Sequence, residues 1–222
     1  ADADDLRDLN NQAAPKGPAN ADAVLLARIT ADQPLQLLQI PTELGIKTPD
    51  SINPVPLGSL WQRGGTALIA DSLREIIGLP DGDPQRYVVV PRRVVRGFID
   101  SLGHLDVTLP EAYSSEDQSQ GFAVHLQAGR QRLDGAETEQ LLRYIETPLD
   151  QSKRRSRQQL VIQALVEQLK TPSGFQRIKR VLTNLQTNLD SNLTQIELLS
   201  LTAALMASPT GMQISQLDLE PR

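Results

Sequence analysis

The run VHLQAGRQRLDGAETEQLLRYI (residues 124–145), followed at residues 154–169 by RRSRQQLVIQALVEQL, decides how this chain is to be read. A short apolar strand, Phe122 to Leu126, gives way at Gly129–Gly135 to a helical pattern over Ala136 to Tyr144, then to a longer helix from Ser152 to Leu169. The change from strand to helical spacing within one stretch marks a chain that interleaves the two kinds of element.

Beyond residue 169, Ser173-Gly174-Phe175 opens a further helix running to about Leu189. Thr194 and Glu197 stand at the spacing of a capping box for a last helix, Gln195 to Met206, and residues 211–220 return as an edge strand.

On the N-terminal side, Val107 to Leu109 and Tyr87 to Val90 read as strands, Arg92 to Gly103 as a helix, and Glu111 to Gln120 as a polar loop. The Gly64-Gly65 pair is expected to open a helix that Gly78 and Pro80 close. Residues 45–60, with Pro49, Pro54, Pro56 and Gly58, read as a loop. Ala23 to Ile29 and Leu35 to Ile40 are adjacent strands, and their near-continuous apolar character predicts cover on both faces. The pattern predicts an α/β domain of three layers, α-β-α, around a central mixed sheet. It occupies residues 22–222, after a mobile acidic segment at 1–21.

Composition narrows the chemistry. The net charge is −5 and aromatic residues make up 3% of the chain, so neither a general basic field nor a base-stacking platform argues for nucleic acid. With no cysteine, thiolate catalysis, disulfides and cysteine zinc sites are excluded. The two histidines, His104 and His125, are far apart in sequence and make a poor metal pair. No run approaches the roughly 18 apolar residues a membrane span needs.

Charge is most concentrated at Lys153-Arg154-Arg155-Ser156-Arg157, just before Gln158. On a helix Arg154, Arg157 and Gln158 share a face, and guanidinium forks suit phosphate oxygens. The same run also reads as a solvated basic face, against which stands the unfavourable dipole energy of cations in a first helical turn. Arg143 lies late in the preceding helix, where a cation is favourable for the dipole alone. The short link at 147–152 is expected to bring Arg143 and Arg154 to one anion pocket. Asp22, at the start of the first strand, is a candidate ligand for a hard cation, and Glu43 would approach the same edge if the two strands are adjacent and parallel or joined by a crossover.

These segments resemble the LytR-CpsA-Psr family. The resemblance rests on His125, Gly129, Gln131, Leu133, Asp134, Gly135, Arg143, Arg154, Arg157, Gln158 and Gln159, with Ser51-Ile52-Asn53, the Gly64-Gly65 pair and the run Tyr87 to Pro110 in matching order. It implies an extracytoplasmic domain, anchored to the cytoplasmic membrane by an N-terminal helix outside this sequence. The implied activity is phosphotransfer of a glycopolymer from a polyprenyl-pyrophosphate carrier to peptidoglycan. It also implies Arg143, Arg154, Arg157 and Gln158 around the pyrophosphate, Asp22 as a ligand of Mg²⁺, Asp22 and Arg143 as the catalytic pair, and an apolar tunnel for the prenyl chain. The chain departs from the family pattern at Asn20, Thr42 and Ile145, where arginines are usual, and at Glu43 in place of an aspartate. Arg28, Arg63 and Arg92 are cations that could stand in, although the sequence does not place them. A non-catalytic module that binds polyprenyl phosphate is the alternative.

Overall fold

A computed structural model describes residues 20–30, 34–117, 122–144, 150–171, 177, 189–194, 196–198, 200–201, 203 and 213–217. The chain divides into two compact units. One takes the described residues through Val89 together with those from Asp190 on, and the other is Val90–Leu189. Runs of strands are interspersed with helices along the chain, an α/β architecture with a mixed sheet.

In the first unit, β1 (Val24–Arg28) pairs antiparallel with β2 (Gln36–Ile40), with Val24 opposite Ile40. The late strand β11 (Gln213–Gln216) adds to the other side of β2 in parallel, so the expected edge strand closes a three-stranded mixed sheet. Cover on both faces does not hold for β1. Val24 is buried, but Leu25 is 40% exposed and the strand opens to solvent toward Arg28. Being an edge strand of apolar composition, it is shielded on one side only.

The stretch expected as a loop carries a short ladder, β3 (Gly45–Ile46) with β4 (Val55–Pro56), and then a 3₁₀ turn at Leu57–Ser59. Helix α1 (Leu60–Ile77) begins before the glycine pair. Gly64 and Gly65 are a kink inside it, Gly65 with φ 59° and ψ −144°, a region open essentially to glycine alone. Gly65→Ala is therefore expected to destabilise the unit by about 1–3 kcal/mol, read as a lowered urea midpoint at unchanged slope. At the other end Gly78 adopts the left-handed conformation (φ 70°) and ends the helix as the sequence predicts. Leu57, Leu60, Ile69 and Leu73 pack with Val24, Ile40 and Ile46 to form this unit's core.

Strand β5 is shorter than expected, Val88–Val89, and pairs antiparallel with β10 (Asp190–Ser191). Nearby, the capping box forms as its spacing predicts. The Glu197 backbone N–H donates to Thr194 Oγ1 at 3.2 Å, and the Thr194 N–H donates to Glu197 Oε2 at 2.8 Å. Arg86 Nε adds a bond at 2.8 Å. Glu197 is held down to about 2, first by the Thr194 backbone and then by Arg86. Because its folded-state value lies below the ordinary one, the box contributes fully above the ordinary carboxylate range and is lost as pH falls through about 2. An NMR titration of the Glu197 carboxyl checks this.

The second unit begins with α2 (Arg92–Leu102), which leads into β6 (Leu105–Leu109). Strand β6 pairs antiparallel with β9 (Gly129–Leu133), and β7 (Tyr113–Asp117) with β8 (Phe122–Leu126). Two of these strands correct the sequence reading. The segment expected as a polar loop forms β7, and Gly129–Leu133, expected as a lead into the helix, forms β9. Neither shows the apolar run that betrays a strand, since GRQRL is polar up to its last residue. Pairing with an apolar partner strand decides both.

Helices α3 (Gly135–Arg143) and α4 (Gln151–Leu169) fall where the sequence puts them. A capping box starts α3, with the Glu137 N–H donating to Asp134 Oδ1 at 2.8 Å and the Asp134 N–H donating to Glu137 Oε2 at 2.9 Å. Helix α4 packs on β6 and on α3. The Gln168 amide fastens its far end, donating to the His104 carbonyl at 2.6 Å and accepting from the Asp106 N–H at 2.9 Å. Ile99, Leu105, Leu109, Val124, Leu133, Leu141 and Val161 meet in the core between these elements. The helix expected at 173–189 lies outside the described residues, apart from residues 177 and 189.

Candidate functional site

The site is built on two antiparallel helix faces in the second unit. On α3, Gly135, Glu139 and Arg143 stand four residues apart and share one face. On α2, Arg92, Arg96 and Asp100 do the same. Gly135 allows the two faces to close, since a side-chain Cβ at this position would collide with the Arg96 carbonyl and sit 2.8 Å from Arg96 Cγ. Asp100 Oδ1 accepts from the Gly135 N–H at 2.8 Å and fixes the register.

That alignment delivers Glu139 to the arginines. Arg96 holds the carboxylate tightly, with Nη2 at 2.6 Å and Nε at 3.0 Å from Oε2. Arg143 Nη1 is 3.5 Å and Arg92 Nη1 is 4.0 Å from Oε1. The Arg92 and Glu139 side chains are 12% and 11% exposed, so much of this charge is out of water. Burial, and then the neighbouring Arg143 charge, pulls Arg92 down to about 10, with Glu139 pulling it back up.

Gly135→Ala is expected to push α3 off α2, at about 1–3 kcal/mol as for other overpacked positions. Far-UV and chemical denaturation would read the loss. Gly97→Ala on α2, where an added Cβ meets no atom within 4 Å, is the control and is expected to raise the midpoint slightly, by the helix preference of alanine over glycine.

Helix α4 presents the other expected residues. Arg154 is half-buried and Gln158 buried, one turn apart on the helix that packs against α3. Arg157 has a different setting. It is 5% exposed, and its guanidinium lies over the rings of Tyr113 and Tyr144, 5.3 and 5.0 Å from their centroids. Its Nη2 donates to the Tyr144 carbonyl. Burial lowers its proton affinity, while the two tyrosines counteract that. These contacts make Arg157 a packing residue between β7 and the end of α3, in addition to the pyrophosphate role implied by the family resemblance.

Asp22 belongs to the first unit. The antiparallel register that sets Val24 opposite Ile40 carries Asp22 toward Thr42, so Asp22 and Glu43 come to one end of the β1–β2 pair; the strands meet antiparallel, not in the parallel or crossover arrangement that the sequence reading attached to this approach. Gly58 ties that end together, accepting from the Ala21 N–H at 3.0 Å and donating to the Thr42 carbonyl at 2.8 Å. Among the described residues no group of three or more His, Asp or Glu side chains could hold a metal.

The positions that lack the family arginines are neutral or occupied otherwise. Asn20 Oδ1 accepts from Gln62 Nε2 at 2.5 Å, and Thr42 is half-buried. Of the substitute cations, Arg63 pairs with exposed Asp50 at 3.3 Å and Arg28 ends the exposed strand β1. Arg92 alone of the three reaches the carboxylate that Arg143 also approaches. Sequence reasoning named Arg92 without placing it and missed Arg96 and Glu139. The signal was the paired four-residue spacing on the two helices.

The comparisons bear on the family and the fold. A model of the LytR_cpsA_psr family matches residues 4–221. Among solved structures, TagV of B. subtilis is 17% identical, with a TM-score of 0.75 over 92% of this chain and 80% of that one. A LytR-Csp2A-Psr enzyme from Actinomyces oris is 20% identical, with a TM-score of 0.71 over 91% and 78%. TagT bound to LI-WTA is 20% identical, with a TM-score of 0.67 over 89% and 73%. At these identities the likeness is one of fold. No curated protein sequence matches the chain significantly.

Proposed function

Because the chain belongs to the LytR_cpsA_psr family, whose members act in cell-wall glycopolymer transfer on lipid-linked polymers outside the cytoplasm, we propose that it moves a glycopolymer from a polyprenyl-pyrophosphate carrier to peptidoglycan. The observation that carries this reading is the arginine cluster at the α2–α3 contact, where Arg143 stands beside Arg92 around one carboxylate. Arg143, with Arg154 and Gln158 on the neighbouring helix, would hold the phosphates through charge-assisted hydrogen bonds. Mg²⁺, when bound, supplies charge neutralisation at the phosphoryl oxygens, and Asp22 is the residue that would hold it. Developing negative charge on those oxygens is what the arginines are suited to stabilise. Leu160, Ala164 and Leu165, partly buried along α4, are apolar surface suited to an adjoining prenyl chain. No described helix is long and apolar enough to cross a membrane; membrane attachment through an N-terminal helix is part of the proposal.

A second reading, a binding module without transfer, is favoured by the neutral residues at Asn20, Thr42 and Ile145. One experiment separates the two. Transfer from a polyprenyl-pyrophosphate glycan donor to peptidoglycan is measured with and without Mg²⁺. Metal-dependent transfer supports the enzyme, and retention of donor without transfer across several glycans supports the module. Arg154→Ala is expected to weaken polyprenyl phosphate binding about tenfold or more, the worth of one charge-assisted bond. Unchanged affinity would leave Arg154 a solvated surface cation.

A further inference from the structure

We propose that Ser114 is a nucleophile of this chain, activated by His125 as general base, and that it takes the acyl group of an activated carboxylic ester. This activity is separate from the phosphate chemistry above and does not rest on it.

The β7–β8 hairpin of the second unit places the residues. Successive side chains of a strand point to opposite faces. Tyr113, Val124 and Leu126 are buried on one face of the hairpin. Ser114 and Glu116 share the other face of β7, and the antiparallel register sets Ser114 directly opposite His125. Glu116 is then the diagonal neighbour of His125, within reach of a long side chain. Ser114 Oγ lies 3.2 Å from His125 Nδ1, and His125 Nε2 lies 3.1 Å from Glu116 Oε1.

Charge fixes the direction of this hydrogen-bonded chain. An ionised carboxylate only accepts, so Nε2 carries the ring proton and donates to Glu116. In the neutral imidazole Nδ1 is then the lone-pair nitrogen, and the serine hydroxyl donates to it. Hydroxyl, base and orienting carboxylate follow one another as a serine nucleophile requires. Relative to the serine-protease arrangement the two ring nitrogens exchange places. Glu116 acts through the ring and is a positioning residue.

The surroundings suit a reacting group. The buried face holds the two strands in register, which keeps the outer residues on a rigid support. The His125 and Glu116 side chains are 55% and 60% exposed, so an ester reaches Ser114 without any opening of the fold. The same exposure sets the size of the effect. General-base catalysis is worth about 10²- to 10⁴-fold, and a solvated pair belongs at the lower end.

The chemistry is a two-step ester hydrolysis. His125 Nδ1 takes the hydroxyl proton as the bond from Ser114 Oγ to the carbonyl carbon forms. The bond from that carbon to the leaving oxygen breaks, and the oxygen keeps the electron pair and takes the proton from His125. Water, deprotonated by the same Nδ1, then attacks the acyl carbon. The bond to Oγ breaks, Oγ regains a proton, and the free carboxylic acid leaves.

The test is reaction of the intact chain with p-nitrophenyl acetate, with the acetyl group located by peptide mass spectrometry after rapid quenching. Ser101 and Ser156 are internal references, exposed hydroxyls that donate to helix carbonyls. Ser114 is expected to be acetylated about 100-fold faster than either. His125→Gln should abolish that advantage and Glu116→Gln should remove part of it. A solvent deuterium isotope effect on the acetylation should fall in both variants; a purely structural Glu116 would leave it in place. A single cooperative urea transition shows that each variant is folded. Acetylation of Ser114 no faster than at the references, or unchanged in His125→Gln, overturns the proposal. So does acetyl found on His125 with nitrophenolate release as fast in Ser114→Ala as in the wild type, which makes the imidazole the nucleophile. Failure of the lipid reading leaves all of these outcomes as they are.

Discussion

Arg157→Ala is expected to destabilise the second unit by about 3 kcal/mol, among the largest effects of any single change in the chain. The side chain is 5% exposed and packs over both the Tyr113 and Tyr144 rings, which meet edge to face at 5.5 Å. Truncation removes a charge-assisted bond to the Tyr144 carbonyl, about 1.5–3 kcal/mol. It also removes two cation–π contacts, about 0.5–2 kcal/mol each. Release of a buried charge from its desolvation offsets part of that sum. Arg157→Met keeps most of the volume without the charge, so its loss should be clearly smaller. Urea denaturation of both variants checks this, and equal losses would assign the effect to the guanidinium's charge-assisted and cation–π contacts alone. Because Tyr144 follows Arg143 directly, the same contact steadies the end of α3 that presents Arg143.

Asp22→Ala is expected to reduce transfer by about 100-fold or more and to flatten its dependence on magnesium. Removing one preorganised electrostatic contact to a developing charge costs about 2.7–4 kcal/mol in the catalytic step. A metal left with one carboxylate fewer is held less well. Glu43, at the same end of the β1–β2 pair, is the residue that would retain part of the affinity. The double change Asp22→Ala with Glu43→Ala should therefore be worse than Asp22→Ala alone. Transfer rates across a magnesium titration would check this, and a magnesium-independent rate in the wild type would contradict it.

The legible parts of the fold were those whose signals are local. Asp134 and Glu137 start α3, Gly78 stops α1, and the apolar period of α4 runs the length of that helix, so each is read from a few neighbouring residues. Strand β7, YSSED, was not legible because only its pairing with β8 makes it a strand. The glycine pair reads in the sequence as a helix start. In the fold the helix tolerates it by kinking at Gly65.

The site divides in the same way. Arg143, Arg154 and Gln158 could be named from spacing and family likeness, since both lie in the sequence. The Arg92–Glu139 contact could not, because it follows from how deeply α3 seats against α2. A missing Cβ at Gly135 and a bond from its N–H to Asp100 set that depth. Arg157 shows the reverse case. Its helical spacing matches that of a phosphate ligand, and burial between two tyrosines gives it packing work that spacing alone does not reveal.

The central claim is that this domain carries a polyprenyl (pyro)phosphate with its headgroup at Arg143. Mass spectrometry of organic extracts from the purified protein, prepared from a host that makes such lipids, tests it most directly. The account predicts a polyprenyl mono- or diphosphate from the wild type, strongly depleted in Arg143→Ala. Extracts holding bulk phospholipid alone, or the same polyprenyl phosphate at equal yield from both proteins, would contradict it.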